Sequence, residues 1–454
     1  MIGWLDLTRG IVERGRAMID LRRAASADAG GVLELFARLV GAIGEASGTA
    51  LAAEALERYG TLPVAERRAV LAGLAGRFGP DMDRLRAAID AHERKPSAES
   101  AMALHLASEP RRQELLRRLN RAPGGTAALV AMREDVLDAL PDEPALRAVD
   151  TDFRHLFSSW FNRGFLSMRR IDWQTPAAIL ERIIRYEAVH EIGDWDDLRR
   201  RIDPPDRRLY AFFHPALPGE PLIFVEVALT AAMPERIGDV LAAAREPLEP
   251  AKAKVATFYS ISNCQRGLKG ISFGSFLIKQ VASELSAELP GIDTFVTLSP
   301  VPGFRAWAER EARAHLDPPL AAVVAALPDD PDPAAVNAAR AALEPLARDY
   351  FLDAKNARGR PLDPVARFHL GNGARLERLC WMGDPSPKGI AQAWGLMVNY
   401  RYVLADIERN HELYANEQRI VTGPPWRKGA GRATARRRVR PPATEPSVPA
   451  ADTP

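Results

Sequence analysis

The segment from Val255 to Phe304 decides the fold of this chain. It opens with Val255-Ala-Thr-Phe-Tyr-Ser-Ile-Ser262, whose β-branched and aromatic residues predict a buried strand. The loop Gln265-Arg-Gly-Leu-Lys-Gly-Ile-Ser-Phe-Gly274 follows, with three glycines and two cations. A helical pattern over Ser275–Leu285 and a second strand over Thr294–Ser299 come next. This order of strand, loop, helix and strand predicts an α/β unit.

The glycine loop predicts a site for a phosphorylated ligand. The start of a helix presents free N–H groups and a partial positive charge, and glycines let a phosphate approach the backbone. The loop is neither a Walker A sequence nor a dinucleotide fingerprint. Arg266, Gly267 and Gly270 loosely resemble the pyrophosphate loop of the GCN5-related N-acetyltransferase fold. An ordinary left-handed glycine turn explains the same residues equally well, so the loop alone leaves both interpretations open.

A second pattern lies inside the same loop. Gly270-Ile-Ser-Phe-Gly274 fits the nucleophile elbow of α/β-hydrolases, and Asp363 and His369 follow in the chain order of a hydrolase triad. An elbow requires an apolar strand that runs directly into its first glycine, whereas loop residues precede Gly270. This disfavours a hydrolase with Ser272 as its nucleophile but does not exclude one.

Composition limits the class of protein. A chain of 454 residues, 47% of them hydrophobic, is long enough for two or three domains. The net charge of +2 argues neither for nor against a nucleic-acid or membrane partner. No run of about 18 uncharged apolar residues predicts a membrane span. The two cysteines, Cys264 and Cys380, suit a reducing compartment, and the first residues do not form a signal peptide. We therefore expect a cytoplasmic protein that binds neither nucleic acid nor membranes.

The sequence changes character along its length. Residues 1–187 are rich in leucine, alanine and arginine with helical periodicity, and we find no strong strand before Asp203. They predict an all-helical domain suited to self-association. Residues 188–423 alternate strands and helices, with a helical insertion near 316–360. The basic, proline-rich residues 424–454 are typical of a disordered tail. The predicted fold class is therefore α+β.

Several elements are predicted inside the second domain. Arg208–Phe213 and Leu222–Leu229 predict two strands that form a hairpin, because a turn-rich connector separates them. Arg375–Met382 predicts a strand or a short helix. A helix is predicted from Ser386 through Tyr402.

Two polar residues are candidates for the chemistry. His369 lies in Ala366–Ala374, a segment without clear periodicity that contains two glycines and can hold a side chain beside a ligand. Histidine is the natural proton donor near neutral pH, although spacing alone favours a structural histidine. Ser299 ends a strand before the rigid corner Pro300–Gly303, where a reactive group is common and a turn cap is the alternative. No pair of histidines or cysteines has metal-ligand spacing, so we expect no metal.

Seven ordered segments of this sequence resemble the malonyl-CoA decarboxylase family. The resemblance covers roughly residues 60–420, and ordered segments are far more specific than any one motif. The segments are Ser158–Leu166, Gly219–Leu222 with Val227–Thr230, Phe258–Ser262, Gly267–Gly270, Leu298–Phe304, Phe368–Ala374 and Gly395–Tyr402.

The resemblance implies a fold and a reaction. The fold is an all-helical N-terminal domain followed by a GCN5-related N-acetyltransferase-like α/β catalytic domain. The reaction turns malonyl-CoA into acetyl-CoA and carbon dioxide without a cofactor, because the thioester is itself the electron sink. It also implies a homo-oligomer, a dimer or tetramer, formed through the helical domain. An acyl-CoA-dependent N-acyltransferase on the same fold is the alternative enzyme. A helical scaffold that binds acidic partners through Arg436–Arg440 is the non-enzymatic alternative.

Site residues follow from the resemblance by position. It implies catalytic roles for Ser299 and His369, which we expect to meet at the acyl end of the coenzyme, with the diphosphate at the start of the 275–285 helix. A family member has glutamate where Ser272 stands, so no carboxylate role transfers there. The expected malonyl-CoA-binding residues are Arg266, Lys269, Gly270, Ile271, Ser272, Phe273, Gly274, Ser275, Asn372 and Tyr400.

Overall fold

The chain divides into two compact units. The first ends at Pro300 and the second begins at Val301. The first unit has a helical part followed by a β-sheet, and the second has helices and a short hairpin of strands. The structure, a computed structural model, describes residues 12, 26–42, 44–271, 277–314 and 332–427.

Eight described α-helices form the N-terminal part of the first unit. They are α1 (Ala29–Gly41), α2 (Glu45–Thr61), α3 (Val64–Arg77), α4 (Met82–Arg94), α5 (Ala98–Ser108), α6 (Arg111–Leu119), α7 (Gly125–Ala139) and α8 (Arg147–Trp160). The apolar faces of all but α4 and α5 pack against one another, and Phe36, Leu71 and Phe153 are fully buried. The predicted helical character of this region is confirmed.

A mixed β-sheet follows the helices. Its strands are β1 (Ser167–Ile171), β2 (Arg207–Phe213), β3 (Pro221–Thr230), β4 (Val255–Asn263) and β5 (Thr294–Thr297), and β6 (Ser299–Pro300) ends the unit. β1 to β4 pair antiparallel in sequence order, whereas β4 and β5 run parallel, with Val255 opposite Thr294. A parallel neighbour requires a crossover connection. The helices among these strands are α9 (Ala177–Tyr186), α10 (Trp195–Ile202), α11 (Ile237–Leu241) and α12 (Leu277–Glu288), of which α12 makes the crossover.

The core of this sheet lies against α9 and α10. Leu180 and Ile183 of α9 and Leu198 of α10 form one buried cluster with Leu209 of β2 and Phe224 of β3. β2 and β3 are buried along nearly their whole length, which explains why their sequences are continuous apolar runs. The predicted hairpin of these two strands is confirmed, as is the predicted strand over β4.

The second unit surrounds a short antiparallel hairpin. Its elements are α13 (Phe304–Ala314), α14 (Pro333–Leu352), α15 (Pro364–Gly371), β7 (Arg375–Cys380), α16 (Pro387–Ala393), β8 (Met397–Tyr402), α17 (Ile407–Glu417) and α18 (Pro424–Arg427). β7 pairs with β8, and Cys380 lies opposite Met397. Phe304, Trp307 and Tyr350 form an aromatic cluster with Trp394, which is fully buried. α14 falls within the predicted helical insertion.

Three expectations are wrong. The predicted helix over 386–402 ends at Ala393, because Trp394 and Gly395 adopt positive φ angles of 50° and 73°, and β8 follows. A strand does precede Asp203, since β1 pairs with β2. The charged residues of β1 give it no apolar run by which the sequence would indicate a strand. The predicted disordered tail starts too early, because Trp426 of α18 is buried against Phe351.

The remaining expectations about architecture have different outcomes. The α+β class, with a helical region followed by a mixed α/β sheet domain, is confirmed. The domain boundary at residue 187 stays a prediction, and residues 428–454 lie outside the described residues. No described helix combines the length and the apolar sequence that crossing a bilayer requires.

Candidate active site

His369 is held in a closed aromatic setting in the second unit. It lies in the last turn of α15, which Asp363 caps by accepting a 2.7 Å hydrogen bond from the Ala366 N–H. The imidazole stacks on the Tyr400 ring, with 4.6 Å between centroids and 25° between planes. Its Nδ1 atom is 2.8 Å from the Tyr402 hydroxyl. The side chain is 3% exposed. The segment around His369 is thus helical, contrary to its non-periodic sequence.

Local geometry explains why these groups meet. Residues two apart on a strand point to the same face, so Tyr400 and Tyr402 of β8 both reach the imidazole. α15 ends at Gly371, and the next residue, Asn372, caps it: its Nδ2 donates a 2.7 Å hydrogen bond to the Phe368 carbonyl. Gly373 then has φ +81°, and a Cβ there would lie 2.2 Å from the Ile407 carbonyl oxygen, so only glycine fits. Tyr400 and Asn372, two predicted site residues, therefore lie on and beside the elements that hold His369.

Burial determines the protonation states of this cluster. It lowers the pKa of His369 to about 3, so the imidazole is neutral at pH 7. Burial also raises the pKa of Tyr402 and of Tyr400 well above the usual range, and both phenols stay protonated. Burial raises the pKa of Asp363 to about 6, against hydrogen bonds from the Ala366 N–H and the Tyr350 hydroxyl. His369, Tyr400 and Tyr402 are therefore neutral at pH 7, whereas the Asp363 carboxyl is still mostly ionised.

Ser299 lies in the first unit, at the start of β6. Its hydroxyl donates a 2.9 Å hydrogen bond to the Thr297 hydroxyl, and both residues are buried. Ser299 and His369 belong to different compact units, so their meeting at one ligand stays a prediction.

The glycine loop is docked on α7 of the helical part. A Cβ at Gly267 would lie 2.1 Å from the Val130 carbonyl oxygen. Only glycine at this position therefore lets the loop approach the helix so closely. Arg133 donates a 2.6 Å hydrogen bond to the Gly267 carbonyl, and the Gly267 N–H donates to Glu134 at 3.1 Å. Arg266 forms an ion pair with Asp138 on the same helix. The helical part therefore fixes the position of the loop.

The predicted loop residues differ in their surroundings. Lys269 and Gly270 are exposed, and Gly270 has φ +79°, whereas Ile271 is buried. The binding roles of these residues and of Arg266 stay predictions. The rest of the predicted loop lies outside the described residues, namely Ser272, Phe273, Gly274 and Ser275.

Tyr402, which contacts His369, is not among the residues that the sequence predicts for the site. Tyr402 is two residues from Tyr400, a spacing that places both phenols on one face of a strand. The sequence instead predicts a helix over Ser386–Tyr402, so this relation is not apparent from it. In the described part of the chain, no group of three or more His, Cys, Asp or Glu residues is arranged to hold a metal ion.

Comparison with known families adds to this geometry. The model described as "Malonyl-CoA decarboxylase N-terminal domain" matches residues 78–161, and the one described as "Malonyl-CoA decarboxylase C-terminal domain" matches residues 164–439. This chain belongs to the malonyl-CoA decarboxylase family. The resemblance found in the sequence is thereby confirmed.

Individual members of the malonyl-CoA decarboxylase family are similar over most of the chain. The crystal structure of the Rhodopseudomonas palustris enzyme has a TM-score of 0.85 and 55% identity, covering 87% of this chain and 98% of that chain. The Agrobacterium vitis structure has a TM-score of 0.81 and 52% identity with the same coverage. The mitochondrial malonyl-CoA decarboxylase of Anser anser anser is 36% identical over 409 residues, which are 81% of each sequence.

The buried imidazole predicts how stability depends on pH. The folded pKa of His369, about 3, lies below the ordinary value of 6.5, so the unfolded chain binds the proton more tightly. The stabilisation linked to His369 is complete above about pH 6.5. It is lost as the pH falls towards about 3, at roughly 1.4 kcal/mol per pH unit.

Chemical unfolding of the wild type and of His369→Asn at about pH 6.5 and about pH 5 measures this slope. We expect the wild type to lose about 2 kcal/mol more than the variant over that interval, because asparagine does not titrate. His105→Asn, at an exposed position on α5, is the matched control and should retain the wild-type slope. Equal losses in the wild type and His369→Asn would show that the imidazole is not held neutral by burial.

Proposed function

We propose that this chain decarboxylates malonyl-CoA to acetyl-CoA and carbon dioxide, with His369 as the proton donor and Ser299 as a second catalytic group. Family membership supports the reaction. The observation that carries the assignment of the donor is the buried, neutral imidazole between Tyr400 and Tyr402. Such a group has the geometry of a fixed hydrogen-bond donor rather than that of a solvated histidine.

The reaction requires stabilisation of an enolate. When the bond between C2 and the carboxylate breaks, its electron pair remains on C2 and spreads to the thioester oxygen. Hydrogen-bond donors aimed at that oxygen lower the barrier, and one such donor contributes about 10²–10³ in rate. In this proposal the His369 ring N–H is one such donor. The Ser299 hydroxyl becomes the second when substrate binds and its O–H turns from the Thr297 hydroxyl to the thioester oxygen. The thioester accepts the electrons, so no metal or organic cofactor is required.

The Tyr402 hydroxyl selects the ring nitrogen that carries the proton. In the proposed arrangement it donates to Nδ1, which leaves the single proton of the neutral imidazole on Nε2. A neutral imidazole that polarises a carbonyl is an established catalytic device. The enolate carbon takes the Nε2 proton and becomes the methyl group of acetyl-CoA. The imidazolate that remains then recovers a proton from water that enters as the products leave, so the net reaction takes up one proton from solvent.

Substitution of each proposed catalytic residue tests this assignment. His369→Asn should lower kcat for carbon dioxide release by at least about 100-fold, because it removes a transition-state donor and the proton source. Ser299→Ala should lower kcat by about 10- to 100-fold. Release of carbon dioxide and formation of acetyl-CoA are measured from purified enzyme and malonyl-CoA without any amine.

Controls separate chemistry from folding. Ser108→Ala, at an exposed position on α5, should keep wild-type turnover. Wild-type turnover in His369→Asn or Ser299→Ala would remove that residue from the mechanism. An N-acyltransferase would consume acyl-CoA only after an amine is added, so amine-dependent turnover by the wild type would contradict the decarboxylase proposal.

We propose further that the chain self-associates through the hairpin of α4 and α5, as a dimer or tetramer in the cytoplasm. Within the described chain α4 buries no residue and α5 buries only Ala107. The two helices nevertheless carry exposed large apolar side chains, and such surfaces mark interaction sites. These side chains are Met82, Ile89, Met102 and Leu106. The reducing compartment is supported by Cys264 and Cys380, which are both buried and outside any disulfide.

A charged hairpin should reduce the size of the assembly. The double variant Met102→Glu and Leu106→Glu places two carboxylates in the proposed interface, where they would be desolvated without partners. Light scattering should show a smaller mass than for the wild type at the same concentration. Val64→Glu, which replaces an equally exposed apolar side chain on α3, is the matched control and should keep the wild-type mass. An unchanged mass for the double variant would contradict this interface.

A further inference from the structure

The cations around the glycine loop differ in whether a carboxylate already neutralises them. Arg266 is paired with Asp138 on α7. The guanidinium of Arg133 is buried and lies 2.9 Å from Asp150. Neither arginine therefore offers an uncompensated charge to an anionic ligand. Lys269, by contrast, is exposed in the loop itself.

Arg154 of α8 is a cation that no carboxylate of the described chain neutralises. Its Nε and Nη2 atoms each lie 3.9 Å from the position that a Cβ would occupy at Gly270. The residue is exposed and forms no ion pair with any residue in the described part of the chain. Its charge adds to the effect of burial in lowering the pKa of Arg133, while Asp150 opposes both. Helix α8 thus places an unneutralised guanidinium against the loop.

The loop backbone presents an open donor at the same point. The Lys269 N–H and the Ile271 N–H each donate 3.0 Å hydrogen bonds within the loop, to the carbonyls of Arg266 and Leu268. The Gly270 N–H between them donates to no described residue. Because Gly270 has φ +79° and no side chain, its backbone is accessible to a ligand.

We infer that Arg154 binds the diphosphate of the coenzyme, together with Lys269 and the Gly270 N–H. The inference rests on the proposed function, since it assumes an acyl-CoA substrate. A guanidinium presents a planar fork of donors to phosphate oxygens, and it remains charged at any working pH. A diphosphate carries two linked anionic groups, so it can accept from the guanidinium and from the backbone N–H at once. The helical part of the first unit thereby supplies a substrate-binding residue.

Binding measurements test this role without relying on turnover. Calorimetric titration compares CoA and 3′-dephospho-CoA, which share the diphosphate, on wild type, Arg154→Gln and Arg154→Lys. We expect Arg154→Gln to weaken both ligands equally, by about 10- to 100-fold, as for a lost hydrogen bond to a charged group. Arg154→Lys keeps the charge without the fork and should lose about three- to tenfold. Arg77→Gln, which removes an exposed arginine from the end of α3, should bind as the wild type does.

The outcomes separate the inference from its alternatives. A loss seen with CoA but absent with 3′-dephospho-CoA would assign Arg154 to the 3′-phosphate and overturn the inference. Wild-type affinity in Arg154→Gln, or an equal loss in Arg77→Gln, would overturn it too. If Arg154→Gln does not keep the wild-type melting temperature, the affinity of Arg154→Lys for the two ligands decides the test by itself. Failure of the wild type to release carbon dioxide would contradict the proposed function and leave the binding result standing.

Discussion

The proposed active site depends on one constraint, the removal of the His369 imidazole from water. A histidine in solvent is partly protonated near pH 7, whereas this ring, stacked on Tyr400 and bonded to Tyr402, is kept neutral by burial. A neutral ring has a single proton, and a neighbour can decide which nitrogen carries it. The same burial costs stability at acidic pH, so the chemistry and the acid sensitivity of the fold have a common cause.

The helical part of the first unit does more than enclose a core. It receives the glycine loop at Gly267, where no side chain fits, and holds the loop with Arg133 and Glu134 of α7. Arg154 of the next helix reaches the same loop at Gly270. A change in α7 or α8 would therefore move the loop.

The strands could be predicted from the sequence where every residue of the strand is similarly buried. The prediction failed where burial or charge varies along the element. β2, β3 and β4 are buried along nearly their whole length, so their apolar runs are unambiguous. β1 carries charged residues at a sheet edge, and β8 follows a helix so closely that the two read as one. That second error hid Tyr402, although its neighbours His369, Asn372 and Tyr400 were all among the predicted site residues. The contacts of Arg133 and Arg154 join segments more than a hundred residues from the loop, which no local pattern reveals.

Nitrogen-15 NMR of the His369 ring in the intact enzyme is the most direct test of the central claim. The account predicts a neutral imidazole with its proton on Nε2, and ring signals that stay unchanged from about pH 8 to about pH 5, because the pKa of about 3 lies below that range. Signals that move to those of an imidazolium near pH 6, or a proton found on Nδ1, would contradict it.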